Sequence, residues 1–337
     1  VAGQVSADEC RIERLDRDAL VEDRDLLGEV FALLVGAHYR TRPTDLRNLL
    51  DGPGVGIHVA RDRGHVLGVG VTVREGGFST DLARAVFRGE RRPRGHLLPQ
   101  TLAAHAGIPE APTHECDRIM RLAVHPAIRQ QGLGSRLVAA MVEDARDTGA
   151  DLVGTSFGAT PDLLRFWEAN QFAPVHLGLT RGHASGTHAV VLLKSLSENG
   201  HSLHRLCRHR FRTTIPSLLA GPLRSLDPRL ADRLLEAPAN APSLDEHDWQ
   251  QIQAVAFAHH GPDNALPALQ KLVLLSFGRE GLRAALPAAS RELLIARLFQ
   301  HQDWSSIAHR RGLPGKKAVL TELRQALQQI LRVLDND

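Results

Sequence analysis

Two glycines between a hydrophobic run and an amphipathic run form a candidate anion-binding turn. The hydrophobic run, Ile119 to Val124, has the length of a β-strand. It ends before Pro126, which has no backbone N–H to donate to a neighbouring strand. Gly132 and Gly134 follow, and hydrophobic residues then recur at helical spacing. Glycine lets the backbone approach a ligand closely, and a helix start offers unpaired amide hydrogens at its positive end. The turn suits a phosphate or pyrophosphate, although two glycines at such a junction also occur in α/β proteins without this site.

The composition is typical of a folded protein without a membrane-spanning segment. A length of 337 residues suffices for two domains, and 43% hydrophobic with 23% charged residues is usual for soluble proteins. No apolar run approaches the roughly 18 residues that cross a bilayer, so we expect no membrane partner. The cysteines Cys10, Cys116 and Cys207 lack metal-ligand spacing. We therefore expect no metal site and a reducing, cytoplasmic location.

Clusters of basic residues are a better indicator of nucleic-acid binding than the net charge, which is only +3. Arginine dominates the basic residues, and codon bias in a GC-rich genome is the simplest explanation. Several cations on one surface, however, attract a polyanion such as RNA. The clusters contain Arg88, Arg91, Arg92 and Arg94; Arg205, Arg208, Arg210 and Arg212; and Arg310, Arg311, Lys316 and Lys317.

The order of predicted elements divides the chain near residue 196. Residues 1–18 are polar and are expected to be an entry segment; strands and helices then alternate, which predicts a mixed α/β domain over 1–196. From Ser197 onward strand patterns vanish and leucine and alanine recur at helical spacing, which predicts a helical domain over 197–337. Three helices predicted within 291–333 have helix-turn-helix spacing, although three packed helices are also common as plain structure.

Further motifs place the glycine turn in a recognisable context. Arg129-Gln-Gln-Gly132-Leu-Gly134 after Val-His-Pro, and the later segment 165–172, resemble the motifs of GNAT-type acetyltransferases. In the later segment, Asn170-Gln171 stands where glycine commonly precedes the phenylalanine, and Trp167 where many members have tyrosine. Five further segments resemble the tRNA(Met) cytidine acetyltransferase family in particular. They are 37–46 (Ala-His-Tyr-Arg-Thr-Arg-Pro-Thr-Asp-Leu), 88–100, 156–160, 164–167 and 185–186.

This resemblance covers nearly the whole chain and implies a fold, an activity and a cofactor. The implied fold class is α/β, with a GNAT-type mixed sheet flanked by helices and followed by an all-helical C-terminal tail domain that binds tRNA. The implied activity moves acetyl from acetyl-CoA to the exocyclic amine of the wobble cytidine of elongator tRNA(Met), forming N4-acetylcytidine. Two alternatives remain: acetylation of a protein or small amine, and an RNA-binding fragment that is inactive without an ATPase module.

The resemblance also implies which residues bind the cofactor. Leu122, Ala123 and Val124 would pair with the pantetheine arm and help to polarise the thioester carbonyl. Asp162, at the start of a later helix, would be a further contact. The pyrophosphate would lie on the glycine turn. The residues implied there are Arg129, Gln130, Gln131, Gly132, Leu133, Gly134 and Ser135.

The implied reaction needs a base, because a cytosine amine is a poor nucleophile until it loses a proton. The target base must also leave its stack to reach the thioester. Histidine side chains in general titrate near neutrality, so His38 is the first candidate for the base or for a cytidine contact; a structural histidine is the alternative. Glu115 and Asp117 are further candidates, unless they are solvated loop acids. The implied RNA-binding side chains are Arg40, Arg91, Arg92, Arg94, Arg208 and Arg210.

Members of this family carry an ATP-hydrolysing, helicase-like module before the acetyltransferase part. The sequence contains no Gly-x-x-x-x-Gly-Lys-Ser/Thr, and 312–317 has neither the spacing nor the hydroxyl. ATP and Mg²⁺ are therefore expected only on a module of the same parent protein, which would be a partner of this chain. We expect the chain, which begins at Val1, to be either a trimmed fragment or a natural short form.

Overall fold

The computed structural model describes residues 7–37, 43–182, 185–237 and 243–334. The chain divides into two compact units. The first unit consists of Val1–Gly158 and Arg165–Arg208, and the second of Ala159–Leu164 and His209–Asp337. No helix among the described residues is both long and apolar enough to cross a membrane.

A mixed sheet forms the centre of the first unit. Its strands are β1 (Arg11–Leu15), β2 (Val55–Asp62), β3 (His65–Gly76), β4 (Glu115–Val124), β5 (Leu152–Gly158), β6 (Ala173–Arg181) and β7 (His188–Ser195). They lie in the order β1-β2-β3-β4-β5-β7-β6. Strands β4 and β5 pair in parallel, and the other neighbours pair antiparallel. The mixed sheet expected from the sequence is confirmed.

Strand β1 lies in the segment that we expected to be an entry segment, and that expectation is wrong. The strand pairs antiparallel with β2, with Arg11 opposite Arg61 and Leu15 opposite Ile57. Three of its five residues are charged, which hides the alternation of a half-buried strand. Charged side chains are common on edge strands, where they discourage pairing with another chain. The strand is therefore fixed by its partner rather than by its own pattern.

Helices cover both faces of the sheet in the first unit. Those that precede β5 are α1 (Arg17–Glu22), α2 (Arg24–Ala37), α3 (Pro43–Asp51), α4 (Thr80–Phe87), α5 (Leu97–Ala104) and α6 (Leu133–Asp147). Val69 and Val71 of β3 belong to a buried cluster with Leu20 and Leu34 of α1 and α2. Because neighbouring residues of a strand point to opposite faces, β3 turns its intervening glycines towards α6.

Those glycines let α6 lie directly on the backbone of β3. A Cβ atom built at Gly70 would lie 2.6 Å from the Met141 sulfur, and one at Gly68 would lie 2.7 Å from Leu137 Cδ1. Real Cβ atoms do not come so close, so a side chain at either glycine would require the flexible ends of Met141 or Leu137 to shift. The glycines of β3 thus make room for two side chains of α6.

The second unit is helical, as expected for this part of the chain. Two helices cross the unit boundary: α7 (Pro161–Ala169) and α8 (Glu198–Ala220). The helices that follow are α9 (Pro228–Leu234), α10 (Glu246–Phe257), α11 (Leu266–Gly278), α12 (Glu280–Ala285), α13 (Ala288–Leu294), α14 (Trp304–Arg311) and α15 (Lys316–Leu334). A π-helical segment, Ile295–Phe299, continues α13. Asp232, which is buried, accepts hydrogen bonds from Arg283 and Arg291 and so ties three helices together.

Candidate active site

The parallel strands β4 and β5 separate before either of them ends. Their pairing stops at Ile119 and Thr155. Beyond this point β4 continues to Val124 against β3, while β5 continues to Gly158 against β7. Five residues of β4, about 16 Å of extended chain, therefore have a strand neighbour on one side and a gap on the other.

A β-bulge at Met120 marks the point of separation. In the register with β3, Ile119 lies opposite Thr72 and Arg121 lies opposite Val71, so Met120 is an extra residue. A bulge bends its strand and increases the local twist. The hydroxyl of Thr155 donates to the Ile119 carbonyl at 3.2 Å and closes the last paired position. The bend at Met120 therefore turns the rest of β4 away from β5.

The turn after β4 presents backbone amides at the start of α6. Gly132 is the N-terminal cap with φ of 85°, and Gln130 is also left-handed, with φ of 61°. The Arg136 amide donates to the Gly132 carbonyl, which begins the ladder of the helix. The amides of residues 133–135 precede that bond, and such first-turn amides have no acceptor within their helix. With no side chain on the cap, they are open to an anion.

The second half of α7 fastens this turn from the side. Asn170 Nδ2 donates to Ser135 Oγ at 3.1 Å and to the Phe166 carbonyl at 2.7 Å. A Cβ atom on Gly134 would lie 3.4 Å from the Phe166 ring, so the helix packs against the glycine itself. Gln171, where the resemblance led us to expect glycine, has φ of 68°, the left-handed conformation that glycine favours. The departure in sequence leaves the backbone conformation unchanged.

Trp167 is the centre of an aromatic cluster beneath this turn. Its ring stacks on Phe157 at 6.1 Å and meets Phe166 and Phe172 edge to face at 5.2 and 5.0 Å. The indole is buried. An indole N–H can donate a hydrogen bond but does not exchange a proton near neutral pH, so Trp167 cannot replace a tyrosine as a general acid.

Comparison with known families decides the classification of this fold and turn. A family model described as GNAT acetyltransferase 2 matches residues 29–148 and 137–197, which together make up about half of the chain. The chain belongs to the GNAT acetyltransferase 2 family. A second model, described as a tRNA-binding domain, matches residues 204–337.

Curated relatives of this GNAT family member share its sequence over most of its length. The tRNA(Met) cytidine acetyltransferase TmcA of Nitrosococcus halophilus is 43% identical over 97% of this chain and 44% of its own length. The protein of the same name from Haloarcula marismortui is 32% identical over 93% of this chain and 40% of its own length. The one from Pectobacterium atrosepticum is 35% identical over 90% of this chain and 42% of its own length. The chain therefore spans less than half the length of these relatives.

Solved structures of other acetyltransferases resemble part of the chain more distantly. The polyamine N-acetyltransferase of Drosophila melanogaster has a TM-score of 0.40 and 16% identity, covering 56% of this chain and 100% of that one. The ribosomal-protein-S18-alanine N-acetyltransferase of Escherichia coli has a TM-score of 0.38 and 12% identity, covering 56% and 94%.

The predicted cofactor residues fall at the gap and the turn, with one exception. Leu122, Ala123 and Val124 lie on the part of β4 that faces the gap. Residues 129–135 form the turn, and Arg129 Nε donates back to the Val124 carbonyl at 3.2 Å. Asp162 is exposed in the first turn of α7, in the segment that belongs to the second unit. The structure thus brings together the predicted cofactor residues of the first unit.

The acidic candidates for the catalytic base lie away from the gap, on the paired half of β4. Arg74 Nη1 contacts Glu115 Oε2 at 2.6 Å, and Arg74 Nε donates to Asp117 Oδ1. The Asp117 side chain is nearly buried in this ion pair. Both carboxylates are occupied by the Arg74 guanidinium, so these acids are suited to fixing β4 to β3. The candidate His38 lies outside the described residues.

The predicted RNA-binding arginines divide into exposed and structural residues. Arg91, Arg92 and Arg94 are exposed between α4 and α5 and form no ion pair with any described residue. Arg208 is half-buried and donates to the Pro174 carbonyl at 3.1 Å, which ties α8 to β6. Arg210 is exposed on α8. Arg40 lies outside the described residues.

Sequence reasoning did not identify a cavity beside the bulge. It measures about 70 Å³ and lies between α2, α3 and the sheet. Its lining residues are Phe31, Leu34, Asn48, Leu49, Val55, Val71, Met120 and Arg121. Among the described residues no group of histidine, cysteine, aspartate and glutamate is arranged to hold a metal ion.

Proposed function

We propose that this chain transfers an acetyl group from acetyl-CoA to the exocyclic amine of the wobble cytidine of elongator tRNA(Met), forming N4-acetylcytidine. The observation that carries the proposal is the continuity of an open strand edge and an amide-lined turn. The edge runs from the Met120 bulge to Val124, and the turn begins five residues later, at Arg129. These two parts correspond to the extended arm and the pyrophosphate of acetyl-CoA.

The open edge of β4 suits the pantetheine arm. That arm is an extended chain with two amide groups, and an extended chain with amides can add to a free strand edge through backbone hydrogen bonds. Leu122, Ala123 and Val124 would supply those bonds. A backbone amide at this edge would also donate to the thioester oxygen, where negative charge develops during attack.

The turn suits the pyrophosphate. Its amides at 133–135 lie at the positive end of a helix of fifteen residues. Gln130, Gln131 and Gly132 are exposed, so an anion can reach them from solvent. Ser135 is fixed by Asn170, which keeps the first helical turn in place for the ligand.

The acceptor would enter from the side of the bulge. In the reaction a C–N bond forms, the C–S bond breaks, the thiolate of CoA leaves and the amine gives up a proton. His38 is our proposed base or cytidine contact, because Glu115 and Asp117 are occupied by Arg74. The cavity beside Met120 is apolar, with Asn48 and Arg121 as its polar groups, and this composition suits one face and one edge of a nucleobase.

RNA binding would involve both units. The exposed arginines at 91, 92 and 94 would contact phosphates, which position an RNA without reading its sequence. Arg40 and Arg210 are proposed as further contacts, whereas Arg208 is already bound to the backbone of β6. The match of residues 204–337 to a tRNA-binding domain supports this assignment.

We also propose that an ATP-hydrolysing, helicase-like module of the same parent protein is the partner of this chain in the cytoplasm. ATP and Mg²⁺ would bind to that module. The proposed module is supported by the sequence resemblance to the tRNA(Met) cytidine acetyltransferase family and by the greater length of the curated relatives.

Transfer of labelled acetyl groups tests the proposal. The chain would be incubated with [¹⁴C]acetyl-CoA and unmodified elongator tRNA(Met), with and without the helicase-like module of a relative, and the RNA digested to nucleosides. We expect labelled N4-acetylcytidine from this tRNA and none from a matched tRNA with uridine at the wobble position. Label on protein or on a small amine, or cofactor binding without transfer in either condition, would contradict the proposal.

A further inference from the structure

A tryptophan of the second unit lies among cations. Trp304 begins α14, with the Arg297 guanidinium 4.3 Å and the Lys316 ammonium 5.5 Å from its ring centroid. Cation–π attraction at these distances holds both charges near the ring. Arg297 also contacts Asp263, whereas Lys316 has no acidic partner among the described residues.

Gln302 brings two more arginines to the same place. Its amide nitrogen donates to the Arg224 carbonyl at 3.3 Å, and its amide oxygen accepts from Arg310. Its backbone carbonyl accepts from Arg297 at 3.1 Å. Because Gln302 is neutral, it gathers these residues without neutralising their charge.

The cations of this cluster outnumber the nearby acids. Arg224, Lys316 and Lys317 are exposed and form no ion pair within the described part of the chain. Asp303, which caps α14, keeps its negative charge, because its side-chain partners Ser305 and Ser306 are neutral. Asp227 is bound by Arg229 and also attracts Arg310. The surface therefore keeps a local positive excess.

The two lysines also lie where a helix disfavours them. Lys316 and Lys317 form the first turn of α15, which spans nineteen residues and has no acid in that turn. The positive end of the helix dipole repels cations, at a cost of about 0.3–1 kcal/mol each. An anion bound by the lysines would remove this cost.

We propose that the exposed cations Arg224, Arg310, Lys316 and Lys317, which lie on the segments that meet at Gln302 and Trp304, bind the phosphate backbone of RNA. We call this the Trp304 surface, and the choice of RNA as the polyanion rests on the proposed function. A lipid surface is a poorer fit, because insertion needs exposed apolar side chains and no large one is exposed on α14 or on the described part of α15. The Trp304 edge would add contact with a sugar or base.

The salt dependence of tRNA binding tests the Trp304 surface. Binding of an unmodified tRNA transcript would be measured by fluorescence anisotropy at several salt concentrations, without acetyl-CoA, for Lys316→Ala, Lys317→Ala and the double variant. We expect the double variant to bind about tenfold more weakly, with the slope of log K against log salt reduced by about one for each lysine removed. Arg279→Ala removes an exposed arginine of the same unit outside the surface and should leave both quantities unchanged.

Acetyl transfer separates this inference from the proposed function. In the double variant the KM for tRNA should rise while transfer at saturating tRNA and acetyl-CoA affinity stay at the wild-type level. Unchanged tRNA affinity and salt slope in the double variant would overturn the Trp304 surface even if wild-type transfer is active. If the wild-type chain transfers no acetyl group to tRNA, the proposed function fails, yet the anisotropy series still decides where RNA binds. Binding of the wild-type chain to anionic vesicles but not to tRNA would also overturn the inference.

Discussion

Asn170 and Ser135 join two helices at the point where the candidate cofactor turn begins. The Asn170 amide donates to the Ser135 hydroxyl at 3.1 Å and to the Phe166 carbonyl of α7 at 2.7 Å. The first turn of α6 is thereby fixed by the side chain that directly follows α7, outside the glycine motif. Asn170 is thus a positioning residue, and its effect can be measured.

Asn170→Ala should weaken acetyl-CoA binding about fivefold, because a hydrogen bond contributes about 1 kcal/mol and its loss frees the first turn of α6. Isothermal titration calorimetry would measure the affinity. Asn199→Ala, which removes an exposed asparagine of the same unit, is the matched control and should bind normally. An Asn170→Ala variant with wild-type affinity would show that the turn holds its shape without this bond.

Gly134→Glu should abolish acetyl-CoA binding, since it places a bulky carboxylate at the amides proposed to bind the pyrophosphate. Gly134→Ala separates size from charge: its Cβ would meet the Phe166 ring at 3.4 Å, an ordinary contact, so the alanine variant should fold and bind with a modest loss. Calorimetry would measure both affinities, with thermal unfolding as the check on folding. Strong binding by the glutamate variant would place the cofactor elsewhere.

Asp117→Asn should cost stability rather than catalysis. Arg74 would lose one charged partner of a nearly buried pair, at a cost of about 1–3 kcal/mol in the free energy of unfolding. Urea unfolding would measure this cost, and the pH profile of acetyl transfer should keep its wild-type shape. A profile that loses its lower pKa in Asp117→Asn, with the fold intact, would instead identify Asp117 as the base.

His38→Ala should slow acetyl transfer about 10²–10⁴-fold while leaving acetyl-CoA affinity unchanged, as expected for the loss of a general base. Single-turnover kinetics and calorimetry would measure the two quantities. His65→Ala, at an exposed histidine beside Glu29, is the control and should retain activity. An equal fall in cofactor affinity in His38→Ala would indicate a structural role.

His176 should make the first unit less stable in mild acid. Burial, and then the neighbouring His105, lower the pKa of His176 to about 4. The unfolded chain takes up a proton near pH 6.5 and the folded chain does not, so stability is full above that pH and falls as the pH drops towards 4. Urea unfolding between pH 4.5 and 7.5 should show a loss of about 2 kcal/mol that His176→Gln reduces and His65→Gln does not. If the free energy of unfolding of His176→Gln fell by the same amount over this pH range, the loss would come from other titrating groups.

The glycine turn could be predicted from sequence because its requirements are local. A left-handed cap and a close approach of backbone to ligand both demand glycine, and Gly132 does have φ of 85°. The cofactor roles of this turn and of β4 stay predictions until binding is measured. The gap beside β4 could not be predicted, because the bulge at Met120 arises from its register with β3, a contact between distant parts of the chain. A sequence pattern can indicate the local backbone conformation, whereas the register of a strand depends on the strand with which it pairs.

The basic residues of the Trp304 surface also divide into those that the local sequence indicates and those that only the fold brings in. The lysines at 316 and 317 were visible in the sequence as part of a cluster, but Arg224 lies far from them along the chain. Arg224 and Arg310 both contact Gln302, which follows a π-helical segment and the left-handed His301, with φ of 51°. Neither conformation has a sequence pattern that would have predicted it.

Gly68 and Gly70 link the packing of α6 to a neighbouring strand. A methyl group at either position would meet the flexible end of Leu137 or Met141, so these α6 side chains would have to adopt other rotamers. Such an allele would leave every residue of the gap and the turn unchanged and would alter the packing of the helix whose first amides face the proposed pyrophosphate. In a survey of variants, effects at these two positions would thus be traced to the packing of α6 rather than to contact with the cofactor.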